Sequence, residues 1–230
     1  EAAAGVYFGS TQLLPVAGSQ AAIQALPACF APGRVITLAP TYAEHPHAWR
    51  GHALTALPAA DIDAAVGRAD TLLLVQPNNP DGQRFSREQL LAWHADLATR
   101  GGRVAACLLV PNASNPLGSV MPDEHKRRLA RLTAERGVAV IEDDLYGDLH
   151  FGRTRPWPIK AFDVAGNVML CSSFSKSLSP ALRIGFVAAG RYRPQIALQK
   201  TLTSGGTNPI TQHVLAEYLE SGAYDRHLRG

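Results

Sequence analysis

Long apolar runs are missing from this chain of 230 residues. None approaches the roughly 20 consecutive apolar residues that a membrane-spanning helix needs. No secretory leader opens the sequence, so a cytoplasmic location and no membrane partner are expected. Cysteine is scarce. Cys29, Cys107 and Cys171 form an odd, scattered set without a C-x-x-C pair, which excludes a disulfide scaffold and reads as buried thiols in a reducing compartment. Histidines at metal spacing are equally thin: His45-Pro46-His47 is the close pair, it lacks further ligands, and no metal site is expected. Charge of one sign is weak as well, at +3 net. The densest basic cluster, Lys126-Arg127-Arg128 with Arg131, falls on an expected helix and reads as a solvated face, so nothing points to nucleic acid. What is present is 46% hydrophobic residues, enough at this length for one large core.

Apolar strand-like runs alternate with amphipathic stretches. Expected strands are 13–16, 34–38, 53–57, 71–76, 104–110, 138–141, 167–171 and 183–188. Expected helices include 19–28, 61–68, 87–100 and 123–136, with a further amphipathic stretch over 210–228. Continuous Val/Leu/Ile runs alternating with such helices predict an α/β fold, a mostly parallel sheet covered by helices on both faces. Ligands of such sheets bind beyond the carboxyl ends of the strands. The chemistry-bearing motifs all fall at those ends or in the loops that follow them.

The most informative stretch is Ser173-Phe174-Ser175-Lys176-Ser177-Leu178-Ser179-Pro180-Ala181-Leu182-Arg183-Ile184-Gly185. It sets one lysine among small hydroxyl residues just after an apolar run, with an arginine seven positions later. An imine-forming lysine must lose its proton, so it needs a sheltered site and nearby positive charge. Serines and a guanidinium fork are groups that hold phosphate. Upstream, the strand 138–141 runs into Glu142-Asp143-Asp144-Leu145-Tyr146, placing carboxylates where one can pair with a cationic ring nitrogen. Asn115-Pro116-Leu117-Gly118 precedes Asp143 by 28 residues, room for a single strand–helix–strand crossover. Asp143 to Lys176 is 33 more. Near the N-terminus, Gly18-Ser19-Gln20 separates a short strand from a helix start, where free amides bind phosphate. Pro40-Thr41-Tyr42 follows the second strand.

These motifs, in this order, resemble those of fold-type I pyridoxal 5'-phosphate (PLP) enzymes of aminotransferase class I/II. The resemblance implies the roles. Lys176 would form the Schiff base with PLP and then shuttle the α-proton. Asp143 would pair with the ring nitrogen, Asp144 being the alternative; Tyr146 and Asn115 would bond the phenolic oxygen, and Tyr42 would stack on the ring with His45 supporting the carboxylate behind it. Ser173, Ser175, Arg183 and the turn at Gly18, Ser19 and Gln20 would hold the phosphate. The implied activity is an aminotransferase acting on an amino acid and a keto acid, as a homodimer. Alternatives are a threonine-phosphate-type decarboxylase or a non-catalytic PLP-binding effector domain of a transcription regulator.

One feature departs from the family pattern. Asn79-Pro80-Asp81-Gly82-Gln83-Arg84-Phe85-Ser86-Arg87-Glu88 and Asn115-Pro116-Leu117-Gly118-Ser119-Val120-Met121-Pro122-Asp123-Glu124 share N-P-x-G-x-x-apolar-x-x-E, 36 residues apart. A strand–loop–helix unit is thus duplicated over 71–100 and 104–136, where a single PLP site uses it once. Residues 1–102 resemble threonine-phosphate decarboxylase, and residues from 103 onward resemble the aminotransferase-like domain of GntR/MocR-type regulators, with a junction near 102–103. Neither the family's N-terminal arm nor its C-terminal small domain, with the substrate-gripping arginine, has a counterpart here. The expectation is an incomplete PLP-binding large domain over 1–230 that binds the cofactor weakly and turns over slowly.

Overall fold

A computed structural model describes residues 14–17, 23–29, 31–99 and 106–229. Its strands are β1 (Leu14–Val16), β2 (Arg34–Leu38), β3 (Ala53–Leu57), β4 (Thr71–Leu73), β5 (Val75–Gln76), β6 (Ala106–Leu109), β7 (Ala139–Asp143), β8 (Val168–Ser173) and β9 (Gly185–Ala188). The α-helices are α1 (Glu44–Ala48), α2 (Ile62–Ala65), α3 (Arg87–Thr99), α4 (Asp123–Glu135), α5 (Arg193–Ser204), α6 (Pro209–Glu220) and α7 (Ala223–Arg229). One sheet has six strands in the order β1-β9-β8-β7-β6-β5, and a second has three in the order β3-β2-β4. All pairs are parallel except the two that β9 makes.

Strand alternation decides which face each side chain serves. Along β7 and β8, Ala139, Ile141, Met169 and Cys171 pack with Ile196 of α5 on one face. Val140 and Val168 pack with Ala130 of α4 and with Ile159 on the other. Leu170 and Phe186 meet Leu215 of α6 and Tyr224 of α7 in a further cluster. Each face thereby excludes water from a near-continuous apolar strand, as a parallel sheet requires.

The run 71–76 is not one strand. Its first half pairs with β2, Val35↔Thr71 to Thr37↔Leu73. Its second half pairs with β6, Val75↔Leu108 and Gln76↔Leu109. The first copy of the duplicated unit is therefore inserted between β2 and the second copy, and it carries the chain across a seam between the two sheets. The duplication is visible in the loops. Asn78 N donates to Gln83 O and Gly82 N to Asn78 O; Ser114 N donates to Ser119 O and Gly118 N to Ser114 O. Gly82 and Gly118 both take positive φ, 70° and 63°, the left-handed region that glycine enters without strain. The proposed junction at 102–103 lies outside the described residues.

Lys126 corrects the reading of the basic cluster as a solvated face. It is fully buried, on the same side of α4 as Ala130 and Thr133, which is the i, i+4, i+7 face of a helix. Arg127 and Arg128 are exposed, as expected, and the Arg127 guanidinium sits 4.4 Å from the centre of the Phe162 ring. Helix α5 was missed, its proline coming early, where it is tolerated in the first turn.

Candidate active site

The carboxyl ends of β7, β8 and the start of β9 meet in register. Asp143 lies opposite Cys171, Ser173 opposite Gly185, and Gly185 opposite Val16. Three consecutive acidic residues then find three environments. Glu142 accepts from the backbone amides of Ile159 at 2.7 Å and Lys160 at 2.9 Å, and burial pushes its carboxyl up to about 7. Asp144 is held by Asn112 Nδ2 at 2.9 Å and by the Arg155 guanidinium, while its backbone oxygen accepts from Ser172 Oγ at 2.9 Å. Asp143 differs: its Oδ1 is buried and has no hydrogen-bond partner. Burial pushes Asp143 up to about 7, with a smaller push from the Asp144 charge and an opposing hydrogen bond from the Leu145 amide.

Lys176 corrects the expectation of a sheltered lysine: it stands exposed at the tip of a turn, because the turn faces Phe174 and Ser177 inward and leaves Lys176 outward. The turn is closed on Phe174, whose carbonyl accepts from the amides of Leu178 at 2.9 Å and Ser179 at 3.0 Å. The Phe174 ring is wedged against Phe186 and Tyr224. Beneath the lysine, Tyr224 Oη lies 2.7 Å from Ser177 Oγ and donates to Asp148 Oδ2 at 2.8 Å. Arg155 Nε donates to Asp148 Oδ1 at 2.6 Å. A continuous polar chain thus runs from α7 through Asp148 and Arg155 to Asp144, next to Asp143.

Ser173 is buried, and its Oγ accepts from the Ser175 amide at 3.4 Å. Arg183 adopts φ 48°, a conformation that costs a non-glycine residue about 1 kcal/mol or more. From there its Nη2 donates to Ala17 O at 3.3 Å, which brings the guanidinium to the residue that leads into the Gly18-Ser19-Gln20 turn. Gly18, Ser19 and Gln20 themselves lie outside the described residues. Tyr42 is partly exposed, its ring edge-on to His45 with centroids 5.6 Å apart. Burial raises the Tyr42 phenol, followed by the charges of Glu44, Asp143 and Tyr146, so the loop after β2 lies within electrostatic reach of Asp143. Burial also pushes His45 down to about 4, keeping it neutral near pH 7. Tyr146 is half-buried in the turn after β7.

Asn115 is exposed in the loop after β6, the direct neighbour of β7. Asn79 follows β5, one strand farther away. Sequence reasoning missed Asn112. It is buried, donates to Asp144 Oδ1 and accepts from Lys126 Nζ at 2.8 Å; Lys126 Nζ also donates to Trp157 O at 2.6 Å. The signal available was Lys126 itself, a lysine on the apolar face of an amphipathic helix.

A pH experiment tests the Asp143 environment. Its folded-state value of about 7 lies above the ordinary 3.8, so the folded state binds the proton more tightly. Its stability contribution is present below about pH 4 and is lost as pH rises through about 7. Asp143→Asn should therefore be more stable than the parent by about 2–4 kcal/mol at pH 8, the gap closing toward pH 4. The opposite slope from His45 is common to both chains and cancels in the difference. Denaturant unfolding of cofactor-free protein measures this, and a gap independent of pH would refute it.

Comparison with known proteins places this arrangement. The aminotransferase class I and II family matches twice, over residues 2–94 and 92–229. Threonine-phosphate decarboxylase of Pseudomonas aeruginosa is 53% identical over 104 residues, 44% of this chain and 31% of that protein. The HTH-type transcriptional regulator YjiR of Escherichia coli is 42% identical over 134 residues, 58% of this chain and 28% of that protein. Among solved structures, kynurenine aminotransferase of Pyrococcus horikoshii, in complex with PMP, superposes with TM-score 0.75 at 27% identity, covering 98% of this chain and 53% of that one. A multiple substrate aminotransferase of Thermococcus profundus gives TM-score 0.75 at 25% identity, covering 99% and 53%. The chain thus spans about half the length of these structures and less than a third of these curated relatives.

Proposed function

The chain belongs to the aminotransferase class I and II family, and on that premise we propose that it is the cofactor-binding core of a PLP-dependent aminotransferase. The observation that carries this reading is the orphaned Asp143 Oδ1. A buried acceptor with no partner is costly, and a protonated pyridine nitrogen is the donor that satisfies it. The other residues fit the same group. Tyr146 and Asn115 would hold the phenolic oxygen and Tyr42 the ring face. Ser173, Ser175, Arg183 and the turn at Gly18, Ser19 and Gln20 would hold the phosphate, and Lys176 the aldehyde carbon. When bound, PLP supplies an electron sink for charge developing at a substrate Cα.

The residues of the chain supply the rest. Asp143, a buried carboxylate whose Oδ1 has no other partner, would keep a ring nitrogen protonated through its negative charge. Asp144 is the weaker rival, because Asn112 and Arg155 already occupy its carboxylate. Lys176 Nζ, at the tip of its turn, takes the α-proton of an amino acid and returns a proton as general base and acid. Tyr224, Ser177 and Phe174 hold the base of that turn. The expected substrates are an amino acid and a keto acid, and the expected setting is a cytoplasmic homodimer in amino acid metabolism. Among the described residues no helix is long and apolar enough to cross a membrane, and Cys107 and Cys171 are free thiols.

The likeness to YjiR supports a second reading, an effector domain that binds PLP without turnover. Purified protein with PLP, scanned with and without amino acids, separates them. Keto acid release with loss of the visible band supports the aminotransferase. A shifted band without keto acid supports the effector, and no PLP-dependent band at all overturns both.

A further inference from the structure

Where β4 leaves for one sheet and β5 joins the other, the strands splay. Among the described residues, Val75↔Leu108 and Gln76↔Leu109 are the pairs that cross the opening. A cavity of about 270 Å³ fills the wedge, floored by Leu72 and Leu74, walled by Cys107 of β6 and roofed by Trp93, His94 and Leu97 of α3. Lys176, Asp143, Tyr146 and Arg183 do not line it, whereas His45 does, so the cavity borders the cofactor site at that residue and extends away from the lysine.

The polar groups around this cavity are largely committed. Gln76 uses its amide both ways on Phe85, donating to the backbone oxygen at 3.1 Å and accepting from the amide at 3.0 Å. The Trp93 indole N–H donates to Asp63 Oδ1 at 2.6 Å. Burial pushes the Cys107 thiol up to about 11, so it stays protonated and apolar in character. His94 Nδ1, by contrast, is buried with no hydrogen-bond partner.

We propose that this cavity is a second binding site, for a flat aromatic heterocycle carrying a single N–H or O–H donor, with His94 Nδ1 as its acceptor. Two tryptophans, Trp49 and Trp93, line the cavity and present aromatic surface that favours an aromatic guest. Most of the remaining lining is aliphatic, with His45, Thr71, Gln76 and Cys107 among it, and largely apolar cavities of this kind take up small apolar molecules. A guest with more than one polar group would leave the second unsatisfied against leucine, at a cost comparable to the hydrogen bond gained.

Calorimetric titration of the full chain with indole and with N-methylindole tests this. Indole should bind one to one, and N-methylindole, its donor blocked, about 5-fold more weakly, the worth of one hydrogen bond. His94→Leu should bring indole down to the level of N-methylindole and leave N-methylindole unchanged. Three results would overturn the proposal: no saturable heat from indole in a chain that melts cooperatively, equal affinities for the two probes, or a ratio unchanged in His94→Leu. If that variant does not fold, the ratio in the parent decides alone.

Discussion

Lys176→Ala should abolish covalent capture of the cofactor. Treated with PLP and then borohydride, the parent chain should carry the reduced label at Lys176, located by peptide mapping, and the variant should fall to background. The chain has four lysines, and their surroundings separate them. Lys126 is fully buried and donates to Asn112 and Trp157. Lys160 Nζ is bound to Asp163 Oδ2 at 2.8 Å and to Val168 O at 2.7 Å. A lysine so engaged is not free to approach an aldehyde carbon. Lys200 lies on α5, outside the Ser173–Arg183 segment that would hold a phosphate. Lys176 alone lies in the segment between Ser173 and Arg183, just past the register position where β8 and β1 end and β9 begins. Turnover, where the parent shows it, should fall by about 10²–10⁴ or more with loss of the general base. Label on Lys160 or Lys200 in the parent would sink the assignment.

The largest expected loss of stability is from Arg155→Met. Arg155 bridges two carboxylates, Asp144 and Asp148, and the Asp144 side chain is wholly inaccessible. Burial already raises the Asp144 pKa, and the Arg155 charge is the main effect opposing it. Methionine keeps much of the volume but leaves a buried carboxylate facing only Asn112. Removing one partner of such a pair costs about 3–5 kcal/mol, roughly 10 °C in melting temperature for a chain of this size. Arg155→Met with Asp144→Asn should recover part of the loss, because the uncompensated charge is gone. Gly147→Ala attacks the same pair from the other side: a Cβ there would lie 2.6 and 2.7 Å from the Asp144 oxygens and 2.8 Å from Arg155 Nη2. Thermal melts near pH 7 check both, and an Arg155→Met chain melting with the parent would remove Asp144 from the role of hub.

Much of the fold was legible because it rests on local pattern. Strands 34–38 and 53–57 coincide with β2 and β3, short runs mostly of apolar and threonine residues bounded by Gly33 and Pro40 and by Gly51 and Pro58. The motif residues reach the strand ends for the same reason: each follows an apolar run in the chain. Legibility failed where distant partners decide. Residues 71–76 read as one strand, because an apolar run carries no mark of which neighbour each half will choose. Lys126 read as solvent-facing because its charge outweighs its helical position until Asn112 and the Trp157 carbonyl are known to meet it. Arg155 had no signal, since its partners lie in a turn seven to eleven residues earlier and their convergence depends on the path between. The duplicated loop was legible as sequence, but its insertion between β2 and β6 follows from edge pairing and not from composition.

That insertion divides the candidate site between two bodies. Tyr42 rides on the three-stranded sheet, Lys176 and Asp143 on the six-stranded one, and among the described residues two pairs join β5 to β6 across the gap. A ligand touching all three residues would work as a staple, and its binding free energy would be shared with closure of the seam. Occupancy at a hundred times the dissociation constant would tighten the joint by about 2.7 kcal/mol. Amide exchange along 71–76 would then read out cofactor occupancy at a distance from the lysine, slow in the loaded chain and fast in the empty one.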